Sequence, residues 1–413
     1  MRIGRTVPPT AAPLGWRDFR HAVAGMWSPA RAVRAREQEI RQHFAVRHVA
    51  LVSSGTAALT IALMALRELS SRTAVVIPAF TCYSVPAAVM KAGLRPVLCD
   101  IDPFTFDFDH ACLERMLTDE TVCVIAQHLF GIPSNIEHLR AMCRSRGIFV
   151  VEDAAQAMGV RADEGDTGTL GDVGVFSLGR GKNITCGSGG IILTQHDRIA
   201  AAIDGQYRRL RCPSRTDMLK ELVRLIAMAV FIRPSLYWIP AALPFLRLGE
   251  TFFPETIPLR RLGGMKAGLL HHWRRRLRRS NRIRARNAAD LSWRLSLNPP
   301  RGPSHPYLRL PLLASTPGDQ KRICDASRRL GLGMSAAYPS SIDQLRQLRG
   351  FLDDRRFPCA RKAAESLLTI PTHQWLSEKD KRAITRCLAS RMRTASPTDV
   401  GRGGSLLEVA HHG

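Results

Sequence analysis

Lys182 lies in residues 173–194, VGVFSLGRGKNITCGSGGIILT, between two short apolar runs and in a loop rich in glycine. The runs VGVFSL and GIILT predict two adjacent buried strands, because they are short, β-branched and bounded by glycine. Lys182 then hangs on a tight connection at the strand ends. Burial disfavours the ammonium form, so a lysine held there gives up its proton more readily than one in water. A neutral lysine amine condenses with an aldehyde to a Schiff base. A single loop lysine is ordinarily a solvated surface residue; the residues upstream give Lys182 its chemical reading.

Asp153 ends the apolar run IFVV. A strand-end aspartate usually caps a helix. Beside a lysine Schiff base it has another use, holding the protonated ring nitrogen of a pyridine cofactor so that the ring stays an electron sink. Ser54 and Thr56 stand in SSGT, at the turn from a strand into an apolar helix over 57–66. Hydroxyls and free backbone N–H groups at a helix start make an anion site, or simply an N-cap.

The elements that must position these groups alternate. A strand over 49–52 leads into the helix over 57–66; AVVIPAF precedes a helix over 85–92, and RPVLCDID one near 110–117. VCVIAQHLFG is followed by a helix over 136–146, and then comes IFVVEDAAQAMG. This is the rhythm of parallel crossovers and predicts an α/β fold with a doubly wound, mostly parallel sheet. Ligands of such sheets sit at the carboxyl ends of the strands. The turn after Val52, the residues after Ile77, Glu152–Asp153 and the Lys182 loop all fall there.

The chain has 413 residues, 45% hydrophobic and 23% charged, which is enough for two domains with a sizeable core. A net charge of +25 suits anionic partners, but much of it is arginine in an alanine-rich chain, and composition alone does not select among them. Ten cysteines show no CxxC pair and no metal spacing, and several, such as Cys99 and Cys123, lie in apolar strand-like runs. A reducing, cytoplasmic location is expected, since MRIGRTVPPTAAPLGW lacks the apolar core of a signal peptide.

SSGTAAL, PAFTCYS, VEDAAQAMG and GTLGDVGVFSLGRGKNITCGSGG, in that order, resemble the DegT/StrS family of pyridoxal-phosphate sugar aminotransferases. The resemblance covers roughly 35–200 and resumes in LGLGMSAAYPSSI and LLTIPTHQWLS. It implies the fold type I aminotransferase architecture, with a large domain and a smaller C-terminal α+β domain, and a homodimer. It implies pyridoxal 5′-phosphate as cofactor and no metal. Lys182 would carry the cofactor covalently, Asp153 would pair with its ring nitrogen, and Gln156 would lie near its ring hydroxyl. Thr56, Ala57 and Ser177 would hold its phosphate. The family usually has an aromatic directly after the position of Thr81; here that place is Cys82, with Phe80 and Tyr83 nearby, and Tyr83 is taken as the stacking candidate. Leu178, Gly179 and Ser188 replace an aromatic, a histidine and a glutamate of the usual pattern. Arg180 and Arg261 are substrate candidates, Arg261 in the segment that usually reaches the partner's active site.

The implied activity is transfer of an amino group from an amino acid, glutamate first, to a nucleotide-linked keto-sugar in polysaccharide or related sugar biosynthesis. A sugar dehydratase of the same fold, whose lysine position is typically histidine, is the first alternative, and a non-catalytic regulatory relative the second. Residues 1–34 are expected to form an arm, 35–262 the large cofactor-binding domain, 263–287 a basic linking helix, 288–395 the small domain and 396–413 a disordered tail. The apolar insertion at about 218–250 is interrupted by Arg224, Arg233 and three prolines, so it falls short of a membrane span. It reads first as packing on the body or on a partner subunit, and second as a peripheral membrane contact. The arginine run after His271 reads as a solvated helix face rather than as a nucleic-acid site.

Overall fold

The computed structural model describes residues 2–391 apart from 247, 250 and 352–354; the expected tail over 396–413 lies outside the described residues. The first half of the chain builds a seven-stranded sheet. Its strands are β1 (His48–Val52), β2 (Ala74–Pro78), β3 (Arg95–Cys99), β4 (Thr121–Gln127), β5 (Phe149–Asp153), β6 (Val173–Ser177) and β7 (Gly190–Thr194), in the order β1-β7-β6-β5-β4-β2-β3. Only β7 runs against its neighbours, β1 and β6; the remaining pairs are parallel. β2 and β4 are buried throughout, which is why they read as continuous apolar runs rather than alternating ones.

Register brings the chemistry together. Gly190 pairs with both Val52 and Ser177, and Asp153 pairs with both Gln127 and Val175. The starts and ends of distant segments therefore meet on one edge of the sheet. Helices α1 (Trp16–Trp27), α2 (Pro29–Phe44), α3 (Gly55–Glu68), α4 (Ser84–Lys91), α5 (His110–Met116), α6 (Ile136–Arg144) and α7 (Asp197–Arg208) accompany this sheet. α8 (Arg215–Phe231), α9 (Trp238–Ala241), α10 (Gly264–Leu269) and α11 (Trp273–Leu295) follow. β8 (Arg309–Leu313), α12 (Pro317–Leu330), β9 (Ser335–Ala336), α13 (Pro358–Ser366), β10 (Leu367–Pro371) and α14 (Glu378–Ala389) complete the order, with a three-stranded antiparallel sheet β8-β10-β9. One hydrophobic cluster runs from Ile61 and Val75 of the first sheet's layers to Leu310 and Ile370 of the second.

The N-terminal segment includes a helix, α1, whose Phe19 and Ala22 are buried. One expectation is corrected. The arginine run is not simply a solvated face. Arg284 on α11 is fully buried, donating to the carbonyls of Leu308 at 2.6 Å and Ala11 at 3.0 Å. Burial pushes its guanidinium down to about 10, and the arginine clamps the arm against the second sheet. The insertion packs on the body through Met218, Leu222 and Leu225 of α8.

Candidate active site

Ser54 adopts extended backbone and caps α3, its Oγ accepting the Ala57 N–H at 3.0 Å. This cap leaves Gly55 and Thr56 at the helix start facing a cavity of about 290 Å³. A Cβ on Gly55 would lie 2.7 Å from Ser177 Cβ, so only glycine lets the helix start close on the end of β6. Ser177 Oγ accepts the Gly179 N–H at 3.3 Å. Hydroxyls of Ser54, Thr56 and Ser177 thus gather at a helix N-terminus, a place suited to an anion.

Lys182 lies on the same cavity wall. Its backbone N–H closes a turn onto Gly179 O at 3.4 Å. Gly181 before it has φ +74°, the left-handed region that glycine enters freely. Thr10 from the N-terminal segment donates to Gly181 O at 2.7 Å, so the arm braces the lysine loop.

Asp153 faces the cavity from the end of β5, its Oδ1 accepting the Ala155 N–H at 3.1 Å. The enclosing walls desolvate the carboxyl and raise its pKa; the charge of Lys182, then the Ala155 N–H and His128, act against that rise. Alternation along the strand sends the preceding residue the other way. Glu152 is fully buried, with Oε2 accepting from His128 Nε2 at 2.9 Å and Gly168 N–H at 2.7 Å, and Oε1 accepting from the Leu170 and Gly171 N–H groups at 2.6 Å each. His128 Nδ1 accepts the Ser134 N–H at 3.0 Å, which fixes the tautomer with the proton on Nε2. His128 lines the cavity.

Gln156 is held at both ends of its amide: Oε1 accepts the Phe130 N–H, and Nε2 donates to Tyr338 Oη, each at 3.1 Å. Tyr338 lines the cavity against Phe80, whose ring is 5.3 Å away edge to face. Its buried hydroxyl has a pKa raised well above the ordinary value.

Of the sequence candidates, Thr56, Asp153, Gln156, Ser177 and Lys182 converge on this cavity. Four others do not. Ala57 is buried outside it, with its N–H occupied by Ser54. Tyr83 is turned toward Ser340, 2.8 Å from its Oγ, while Thr81 and Cys82 take the cavity wall. Arg180 is exposed and off the wall. Arg261 donates to the Tyr207 and Arg208 carbonyls, each at 3.2 Å, and stacks over the Tyr207 ring. His128 and Tyr338 were missed. His128 was visible only as a polar residue ending an apolar strand, and Tyr338 only within the later segment LGLGMSAAYPSSI. Ser188, also on the wall, accepts from Lys266 Nζ at 2.6 Å.

The seven-stranded, mostly parallel sheet with its flanking helices and the smaller antiparallel sheet is the fold of the type I aminotransferases. Residues 20–220 match the model of the DegT/DnrJ/EryC1/StrS aminotransferase family. The chain is 34% identical over 173 residues to the UDP-N-acetyl-3-dehydro-alpha-D-glucosamine 3-aminotransferase of Acidithiobacillus ferrooxidans, covering 42% of this chain and 47% of that protein. The match therefore spans about half the length of such curated relatives. The fold is shared along nearly the whole chain with Helicobacter pylori PseC, an aminotransferase of pseudoaminic acid biosynthesis (TM-score 0.76, 15% identity, 94% of this chain and 99% of that one). It is likewise shared with the Escherichia coli GDP-4-keto-6-deoxy-D-mannose-3-dehydratase bearing hydrated PLP (TM-score 0.74, 16% identity, 94% and 100%).

Proposed function

We propose that this chain is a pyridoxal-phosphate-dependent aminotransferase that moves an amino group from an amino acid, glutamate first, to a keto-sugar carried on a nucleotide. The observation that carries the reading is the convergence of Lys182, Asp153 and the Thr56–Ser177 anion site on one cavity. The family match over residues 20–220, and a relative named for a UDP-linked keto-sugar, support it.

The donor set fits the cofactor. The start of α3 with Thr56 and Ser177 would take its phosphate, the Lys182 amine its aldehyde, and Asp153 its ring nitrogen. The volume of about 290 Å³ is at the low end for small-molecule pockets. When bound, the cofactor supplies an electron sink for the pair left by breaking a C–H bond next to nitrogen. Asp153 would stabilise positive charge on the ring nitrogen. Lys182 would take and return a proton at the reacting carbon. Gln156, clamped between Phe130 and Tyr338, presents a fixed amide edge. The chain's strong positive charge draws a nucleotide diphosphate toward the surface. Pairing of two chains, as the resemblance implies, belongs to the same proposal.

Dehydration of the sugar is the second reading, favoured by the shared fold with the E. coli dehydratase. The primary amine of Lys182 on the cavity wall speaks for transfer. Incubation of the cofactor-loaded protein with glutamate and a panel of nucleotide keto-sugars decides between them. Release of 2-oxoglutarate with an amino-sugar product supports transfer; loss of a sugar hydroxyl supports dehydration; neither product overturns both.

A further inference from the structure

Helix α8 is apolar on two faces. Met218, Leu222 and Leu225 point inward and are buried. Leu219, Val223, Ile226 and Val230, at the i, i+4, i+7, i+11 spacing of a second stripe, are exposed, Val223 by 61%. α1 packs beside α8 and repeats the pattern: Phe19 and Ala22 are buried, while Trp16, Val23 and Trp27 are exposed, the two tryptophans by 75% and 78%. Phe245 of the insertion and Phe252 just after it are exposed as well. A monomer's scattered apolar side chains need no explanation, but two adjacent helices with matching outer stripes do.

The charges around these stripes are mainly positive. Arg17 and Arg20 of α1 and Arg215, Lys220 and Arg224 of α8 are exposed, as is Arg233 just beyond it. Against them, Asp217 sits 3.7 Å from Arg260, and Glu221 is shared between Lys266 and Arg224. Among the described residues no helix is long and apolar enough to cross a membrane. An apolar helix face edged by tryptophan and arginine, too short to span, suits the headgroup–acyl boundary of an anionic bilayer. A second copy suits it less well, because pairing two such faces would bring together two sets of exposed arginines and lysines with few carboxylates to balance them.

We propose that the outer face of α1 and α8 docks the protein peripherally on a membrane surface containing anionic lipid. α8 also reaches toward the cavity from its inner side, where Glu221 is 3.5 Å from Lys266, which donates to Ser188 on the cavity wall.

The test is flotation of the full chain at physiological salt with vesicles of phosphatidylcholine alone and of phosphatidylcholine mixed with phosphatidylglycerol. The wild type should float with the mixed vesicles. Leu219→Ser/Val223→Ser/Val230→Ser, which alters only exposed side chains, should lower partitioning more than about tenfold with an unchanged melting temperature. Trp16→Ser/Trp27→Ser on the other helix should do the same and serves if the first variant misfolds. Failure of the wild type to float overturns the proposal. So does flotation indifferent to both variants, which marks generic charge attraction. An oligomer in sedimentation velocity that either variant dissociates, without lipid binding, assigns the face to a second copy and also overturns it.

Discussion

Replacing Glu152 by glutamine should unfold the protein far more readily, although the change is one atom. The carboxylate is fully buried and accepts four hydrogen bonds, two at each oxygen. A glutamine amide offers one acceptor and one donor. With its oxygen toward His128 and Gly168, its nitrogen meets the N–H groups of Leu170 and Gly171; flipped, it meets His128 and Gly168. Either orientation leaves two buried donors without an acceptor and facing another donor. At about 1–3 kcal/mol for each orphaned group, the cost is about 2–6 kcal/mol. That is a large part of a total stability of about 5–15 kcal/mol. Urea unfolding followed by circular dichroism should show a lower midpoint with an unchanged slope. A loss below about 1 kcal/mol would refute the reasoning, because it would mean the four donors find other partners. The residue acts on the site through His128, so surviving Glu152→Gln protein should also bind cofactor more weakly.

Asp153→Asn keeps the Oδ1 acceptor for the Ala155 N–H and should melt like the wild type, yet lose at least about a hundredfold in turnover; near-wild-type single-turnover rates remove Asp153 from the site. Gly55→Ala forces a Cβ to 2.7 Å from Ser177 and should weaken pyridoxal phosphate uptake more than about tenfold in a spectroscopic titration. His373 is buried, its Nε2–H donating to Pro8 O at 2.8 Å and its Nδ1 accepting from Trp375 N–H at 3.2 Å, and burial lowers its pKa to about 3. The unfolded chain binds its proton near 6.5, so stability is complete above that pH and falls as pH drops from there toward 3. The loss by about pH 5 should be about 2 kcal/mol in urea midpoints, and His373→Asn should flatten that slope.

The sheet was legible because its strands carry unbroken apolar runs, a consequence of burial on both faces, and because Ser54, Asp153 and Lys182 each sit where such a run ends. α1 was not legible. Its inner face carries one large apolar residue, Phe19, beside Asp18, Ala22 and Gly25, and a Cβ on Gly25 would meet Gly264 O at 2.2 Å, so at that point the helix approaches α10 too closely for a side chain. Its tryptophans point outward, and no apolar period stands out. Arg284 could not be told from the arginines around it, since nothing local says which one faces Leu308 and Ala11. Tyr83 was taken for the cavity aromatic because it is near Thr81 in sequence; the aromatic on the wall is Tyr338, delivered by a segment more than two hundred residues downstream. Proximity along the chain says which residues share a loop, not which side chain turns into the space that the loop borders.

The measurement closest to the central claim is the site of covalent attachment. The protein is saturated with pyridoxal phosphate, reduced with borohydride, digested and sequenced by mass spectrometry. One phosphopyridoxyl group is expected, on Lys182, and none in Lys182→Ala. A label spread over surface lysines, or carried by a different cavity residue, contradicts it.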